Sequence, residues 1–242
     1  MSALFHGFIY DPLYNGLVFL VGIVPLHDMG LAVIALTIVV RVIIYPLSRR
    51  AVEAQMAMKK IAPEVEELKK KYKKNSPEQS QAVLALYKAR GVHPFASFGL
   101  VLVQFPVLIG LYWVFYKSGF PQVDTALLYS FVHAPSTINM EFLGLVNMSS
   151  RSIVLAALAA LTQFIYTRLS MGPREKTPDA TVVEASFSGD LAKSFDLQAR
   201  YALPVMIGVI GYTIASAAPL YWATSNIFMI LQELWAGRRF SK

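Results

Sequence analysis

The sequence contains no cysteine. That excludes disulfides, thiolate metal sites and an anchor built on a lipid-modified cysteine. Histidine is scarce, and His6, His27, His93 and His133 show no ligand spacing, so no metal centre is expected. No Lys or Arg precedes Arg41, which removes the positive n-region of a secretory signal, and no small-residue cleavage site is evident. There is no GxxxxGK[ST] loop for a nucleotide and no internal repeat at a solenoid or transporter period. Acids are outnumbered: 15 Asp and Glu stand against 22 Lys and Arg, a formal net charge of +7. That balance suits a nucleic acid or an anionic membrane surface, and the placement of the basic residues decides between them.

What the chain has in quantity is apolar sequence. Hydrophobic residues make up 55% of 242 positions, and mean hydropathy is +0.49. Five segments read as membrane-spanning: residues 29–47, 95–116, 153–169, 201–217 and 220–235. The last two are separated only by Ala218 and Pro219, which implies a tight hairpin. Leu13 to Val24 is also apolar but stops at Pro25. At ~1.5 Å per residue it covers roughly 18 Å, short of a ~30 Å hydrocarbon core. It reads as an interfacial helix within an extracytoplasmic N-terminus, residues 1–28; a sixth span is the alternative. The fold class is therefore all-α and polytopic, with a five-span membrane core over residues 29–242.

Basic residues set the orientation. Ser48 to Pro94 holds eleven of the 22. Arg174, Lys176, Lys193 and Arg200 follow the third span, and Arg238, Arg239 and Lys242 end the chain, whereas the opposite side has only Lys117 and Arg151. The positive-inside rule puts the C-terminus in the cytoplasm and the N-terminus outside. The cytoplasmic segment 48–94 reads as a helical hairpin. Ile61, Val65, Leu68 and Tyr72 form one stripe, and Asn75-Ser76-Pro77 breaks the run with Ser76 as an N-cap. A second helix follows with Val83, Leu86 and Tyr87 inward and Gly91 as its stop. Lys69, Lys70, Lys71, Lys73 and Lys74 lie near the tip. They are either a solvated helix end or a surface for anionic headgroups, ribosomal RNA or acidic partner segments. Thr125 to Val132 reads as a short interfacial helix outside, and residues 171–196 as a polar loop.

Arg41 is the conspicuous residue, lying roughly 9 Å inside the cytoplasmic boundary of the first span at ~1.5 Å per residue. A central Arg costs ~2.5–3.5 kcal/mol even on the lenient insertion scale, so a compensating benefit is expected. The competing reading is an arginine that snorkels to the headgroups. No Asp or Glu occurs in the five spans before Glu233, so the charge suits an arriving anion: an acidic peptide, a phosphate or an anionic lipid. Gln104, Tyr112, Thr162, Gln163, Tyr166, Thr167, Thr213, Ser216, Tyr221, Trp222, Thr224, Ser225, Asn226 and Gln232 supply polar groups from the other spans. Each alone is more often a helix–helix hydrogen bond than a site. Together they can line a half-channel wet from the cytoplasm and closed outside.

Three stretches carry a resemblance: GLAVIALTIVVRVIIYPLSRR with the hairpin after it, LYKARGVHPFASFGLVLVQFPVLIGLYWVF, and LYWATSNIFMILQ. In that order they resemble the YidC/Oxa membrane protein insertases, from about Gly30 to Gln232. Arg41 falls where that family carries its groove arginine. Gln104 with Phe105 and Pro106, Tyr221 with Trp222, and Ser225 with Asn226 fall on other recurring positions. The chain departs from the family at His93-Pro94, at Ser97-Phe98 and at Ala217 to Leu220, where relatives often carry Asn-Pro, Gly-Cys and Pro-x-Gly-Leu. No stretch corresponds to the large periplasmic domain and extra N-terminal span of some members, so the resemblance is to a compact form. It implies insertion of nascent membrane proteins at a bacterial inner membrane, alone or beside the Sec translocon, with no cofactor and no chemical step. The expected groove residues are Arg41, Gln104, Gln163, Tyr221, Trp222 and Asn226. Two other functions compete: a small anion transporter with Arg41 as counter-ion, and a scaffold that only docks ribosomes through its basic hairpin. Intramembrane proteolysis is disfavoured, because no Asp or His lies deep in a span.

Overall fold

The computed structural model describes residues 3–72, 76–92, 98–117, 120–171 and 197–237. The polar loop expected over 171–196 lies almost entirely outside the described residues. The described chain is mainly helical: α1 (Asp11–Ile23), α2 (Met29–Lys71), α3 (Ser76–Ala89), α4 (Phe98–Lys117), α5 (Ile153–Met171), α6 (Leu203–Thr213) and α7 (Ala217–Trp235). A π-helical turn precedes α1 at His6–Tyr10 and another precedes α6 at Gln198–Ala202. Two short strands, β1 (Glu141–Phe142) and β2 (Val146–Asn147), pair antiparallel with Phe142 opposite Val146. The chain forms two compact units. One comprises residues 1–42 and 107–242, the other residues 43–106.

Two described helices are long and apolar enough to cross a membrane, Met29–Met58 within α2 and Ile153–Met171. Two of the other expected spans coincide with helices, α6 and α7, that fall short of that test. The fully described part of α4, Pro106–Tyr116, is apolar. Eleven residues make up α6, because Ile214 turns extended. Tyr221, Trp222, Thr224, Ser225, Asn226, Gln232 and Glu233 dilute the apolar character of α7. The break between the last two helices is at residues 214–216, not at Ala218-Pro219. Pro219 sits in the first turn of α7, where a missing N–H costs no intrahelical bond. Ser216 fixes that start: its N–H and hydroxyl both donate to the Ser150 carbonyl, at 2.8 and 2.7 Å.

In the first unit α1 is embedded. Tyr10, Leu13, Tyr14, Leu17, Val18 and Val21 recur at helical spacing and are all buried. They pack in one core with residues of α2, α4, α5 and α7, among them Met29, Val33, Leu111, Val114, Leu155, Leu220 and Tyr221. Gly110 of α4 admits this contact, since a Cβ there would meet Leu13 at 2.6 Å and Ile9 at 2.8 Å. Phe19 and Ile23 point out of this core. Buried Asn15 reaches across to the loop after α4. Its amide donates to the Leu127 carbonyl at 2.9 Å, and its oxygen accepts from Tyr129 N–H at 2.6 Å. These bonds divert the backbone groups that a longer helix would need, so only Thr125–Leu127 is helical, as one 3₁₀ turn, where Thr125 to Val132 was expected. Tyr14 makes a second tie, its hydroxyl accepting from Asp124 N–H at 2.8 Å. Burial pushes the Tyr14 phenol above its usual pKa, and that hydrogen bond opposes the shift.

A buried carboxylate joins the same loop region to α2. Asp28 Oδ1 accepts from Gly30 N–H at 2.7 Å and Leu31 N–H at 3.0 Å, capping the helix, while Oδ2 accepts from Leu143 N–H at 2.7 Å. Gly30 is required by its neighbour: any Cβ there would collide with the Phe142 ring. The β1–β2 turn is unusual. Leu143 and Gly144 have φ of +52° and +70°, a pairing that normally selects Asn-Gly. Leucine in that region costs roughly 1–2 kcal/mol. Leu26 and His27 share the left-handed conformation, at φ +60° and +50°. Along the α5–α6 contact small residues let the backbones approach: a Cβ on Gly208 would lie 3.1 Å from that of Ala160, and one on Gly211 3.6 Å from Ala156.

In the second unit, the helix expected to open the hairpin is continuous with the first span, through Pro46 and Pro63. Ile61 and Val65 are buried, with Leu68 and Tyr72 half-buried, as their stripe predicts. The second hairpin helix opens at Ser76 and ends in a Schellman motif at Gly91, φ +62°. Val92 N–H donates to the Tyr87 carbonyl at 2.9 Å, and Gly91 N–H to that of Lys88 at 3.2 Å. Arg90 Nη2 grips both oxygens of Glu64 at 2.9 and 2.8 Å, an exposed pair worth at most ~1 kcal/mol. Burial raises the pKa of the Tyr87 phenol. Asp28→Ala strips three N–H groups of their buried acceptor. It should cost about 2–4 kcal/mol, seen as a lower Tm in detergent, with Asp28→Asn retaining part of the loss.

Candidate functional site

Arg41 lies in the first unit, on the face of α2 that also carries Thr37 one turn earlier. Both are buried, Arg41 to 6% exposure. Thr37 satisfies itself locally by donating to the Val33 carbonyl at 2.6 Å. A guanidinium cannot do that, because it is all donor and permanently charged. Its Nε donates to Ser225 Oγ of α7 at 3.2 Å. The phenols of Tyr221, one turn before Ser225, and of Tyr166 on α5 are close enough to act on its charge. Helical geometry explains the convergence, since positions 221 and 225 share one face of α7. Three helices therefore supply this cluster.

Beside it runs a second polar row between α5 and α7. Asn226 Nδ2 donates to Thr162 Oγ1 at 3.3 Å across the helix pair, and Thr162 in turn donates to the Leu158 carbonyl at 2.8 Å. Gln163 Nε2 donates to Thr167 Oγ1 at 3.1 Å within α5. Thr162, Gln163, Thr167, Ser225 and Asn226 are all buried, and so are Ser170, Gln232 and Glu233 toward the helix ends. A continuous buried polar seam of this kind is costly in an apolar surrounding unless its groups are bonded.

The six expected groove residues are thus only partly assembled. Tyr221 joins Arg41. Gln163 and Asn226 lie on the adjoining seam, each bonded to a threonine. Trp222 turns elsewhere, packing half-buried against Ala159, Ile207 and Ala223. The Gln104 side chain lies outside the described residues. Tyr166 was visible only as a polar position within a span, and Ser225 also as a recurring family position; the signal that promotes them is their one-turn spacing from Thr162 and Tyr221. In the second unit Lys70 and Lys71 are exposed at the end of α2, and Lys71 Nζ stands 5.6 Å from the Tyr72 ring centroid. The Lys69 side chain, Lys73 and Lys74 lie outside the described residues.

A buried arginine on a span, ringed by hydroxyls from two other helices, is the feature to compare with known proteins. The 60Kd inner membrane protein family matches residues 20–242. The chain belongs to that family. Among curated relatives, the membrane protein insertase YidC of Clostridium tetani is 28% identical over 210 residues, 87% of this chain and 82% of that protein. Membrane protein insertase YidC 1 of Streptococcus agalactiae is 30% identical over 212 residues, covering 86% of this chain and 67% of that one. The YidC of Methylobacillus flagellatus is 27% identical over 88% of this chain, but only 33% of its own length is matched. Among solved structures, an active YidC insertase with its first transmembrane domain resolved superposes with TM-score 0.59 and 22% identity. It covers 92% of this chain and 46% of that one, and it supports the fold.

The Asn226–Thr162 bond links α5 to α7 within the seam. A double-mutant cycle with Asn226→Leu and Thr162→Val, read as unfolding free energy in detergent, should give a coupling of about 0.6 kcal/mol, the usual size for such bonds in membranes.

Proposed function

We infer that this family member is a membrane protein insertase that works without a chemical reaction. The observation that carries the reading is Arg41: a guanidinium kept at 6% exposure on a span and held by Ser225. We read α2, α4, α5, α6 and α7 as five spans of a bacterial plasma membrane protein, N-terminus outside and C-terminus in the cytoplasm, with α1 at the outer interface. The distribution of Lys and Arg supports that orientation.

On this reading a nascent chain meets the hairpin of residues 48–94 at the cytoplasmic face. Lys69, Lys70, Lys71, Lys73 and Lys74 offer a surface to ribosomal RNA or anionic headgroups. The acidic or hydrophilic tail of the substrate enters a polar groove under the pull of Arg41. Tyr221, Gln163, Asn226 and Gln104 exchange hydrogen bonds with it, which lowers the cost of bringing it to membrane depth. Trp222, packed against the apolar cluster, takes no part in that exchange. The substrate helix then leaves sideways into lipid, driven by ~25 cal/mol per Å² of apolar area buried. The membrane potential adds ~2.3 kcal/mol per acidic charge moved outward at 100 mV. A Sec translocon is a partner compatible with this route.

Arg41→Ala in reconstituted liposomes should lower insertion of substrates with acidic translocated tails by about tenfold or more, equivalent to ~1.4 kcal/mol. Substrates with neutral tails should be much less affected. Arg41→Lys should keep part of the activity, because a point charge attracts without forked hydrogen bonding. Equal activity of all three proteins on acidic tails would rule the mechanism out.

A further inference from the structure

Three leucines are held out from the loops at one end of the first unit. Leu26 is 81% exposed, Leu145 81% and Leu143 58%. Leu26 and Leu143 occupy left-handed backbone, a conformation in which a bulky apolar residue is a genuine outlier. Strain of this kind persists where the surroundings fix it, and here they do. The Leu143 N–H is bound by buried Asp28, two residues beyond Leu26, and Leu145 N–H closes the turn on the Phe142 carbonyl at 2.9 Å. One carboxylate thus ties both strained segments together.

The position of the turn indicates the medium it meets. Phe142 lies against Gly30 in the first turn of α2, and β2 leads to Met148 and Ser150, whose carbonyls receive the N–H groups of Ala217 and Ser216. The tip therefore stands level with the ends of α2 and α7, and α5 begins close by in sequence with exposed Ile153 and Val154. Charge agrees with an apolar medium. No Lys or Arg occurs between residues 118 and 150. The loop carboxylates are turned to internal bonds: Asp124 to Ala126 N–H at 3.0 Å, Glu141 to Asn147 Nδ2 at 2.8 Å.

We propose that Leu26, Leu143 and Leu145 form a lipid anchor, seated among the glycerol and upper acyl groups of the outer leaflet. It pins the loops that close the outer end of the helices. This rests on reading α2 and α5 as spans. With no cation at the tips, the anchor needs no anionic headgroup and engages zwitterionic lipid.

The absence of native cysteine permits a direct test. The full chain carrying one cysteine at position 26, 143, 145, 137 or 154 is labelled with an environment-sensitive fluorophore and reconstituted in phosphatidylcholine vesicles. Labels at 26, 143 and 145 should be quenched severalfold more by nitroxide lipid labelled near the headgroup than by aqueous iodide. The label at exposed Thr137 should show the reverse. The label at Val154 reports on the spanning reading and should answer to lipid-borne quencher. Iodide quenching at 143 and 145 with lipid quenching at 154 would overturn the anchor and leave the spans intact; iodide quenching at 154 as well would count against both. Shielding from both quenchers, as under a second copy of the chain, would also overturn it. Leu143→Asn suits the positive φ and so preserves the turn. With the label at 145 it should shift quenching from lipid toward iodide, and an unchanged pattern would remove Leu143 from the anchor.

Discussion

A permanent positive charge taken out of water dictates much of the first unit. Arg41 cannot be neutralised in place, so its surroundings must be polar and fixed. Ser225 accepts from Nε, and Tyr221 and Tyr166 stand within electrostatic reach. A charged hydrogen bond is worth ~1.5–3 kcal/mol, comparable to the ~2.5–3.5 kcal/mol that a central arginine costs on the insertion scale. The polar rows of α5 and α7 follow from this requirement, and they are what lowers the apolar character of α7 below that of an ordinary span.

Holding three helices around one charge requires that their far ends do not slide. The loops at that end meet the demand. Asp28 caps α2 and binds the β-turn, Asn15 and Tyr14 of α1 clamp the loop after α4, and Ser216 hangs the start of α7 on Ser150. Between α5 and α6 the seam is set by the small residues Gly208 and Gly211 against Ala160 and Ala156.

The helices were legible because apolar runs and 3.6-residue periodicity act locally. The Gly91 stop was legible because few residues other than glycine accept its φ. What sequence concealed was decided by tertiary partners. Leu13 to Val24 reads as an interfacial helix, yet Tyr14 and Asn15 inside it are the polar handles of a packed face. The β-hairpin has Leu143-Gly144 where Asn-Gly would have announced a turn. Pro219 suggested a break and instead lies in the first turn of a helix. At the site, Arg41 and Tyr221 stood out for their chemistry, whereas Trp222 faces the apolar cluster because one residue along α7 turns a side chain by about 100°. Tyr166 gains its place only from the helix on which its neighbours sit.

The central claim is that the surroundings of Arg41 receive the translocated segment of a substrate. The most direct measurement replaces Tyr166 with a photo-crosslinking amino acid and probes ribosome-stalled nascent chains of increasing length in membranes. A crosslink to the acidic tail, appearing at one intermediate length and lost in the Arg41→Ala background, is the predicted result. Crosslinks absent from position 166 at every length, yet formed from exposed Val209 of α6, would contradict the account.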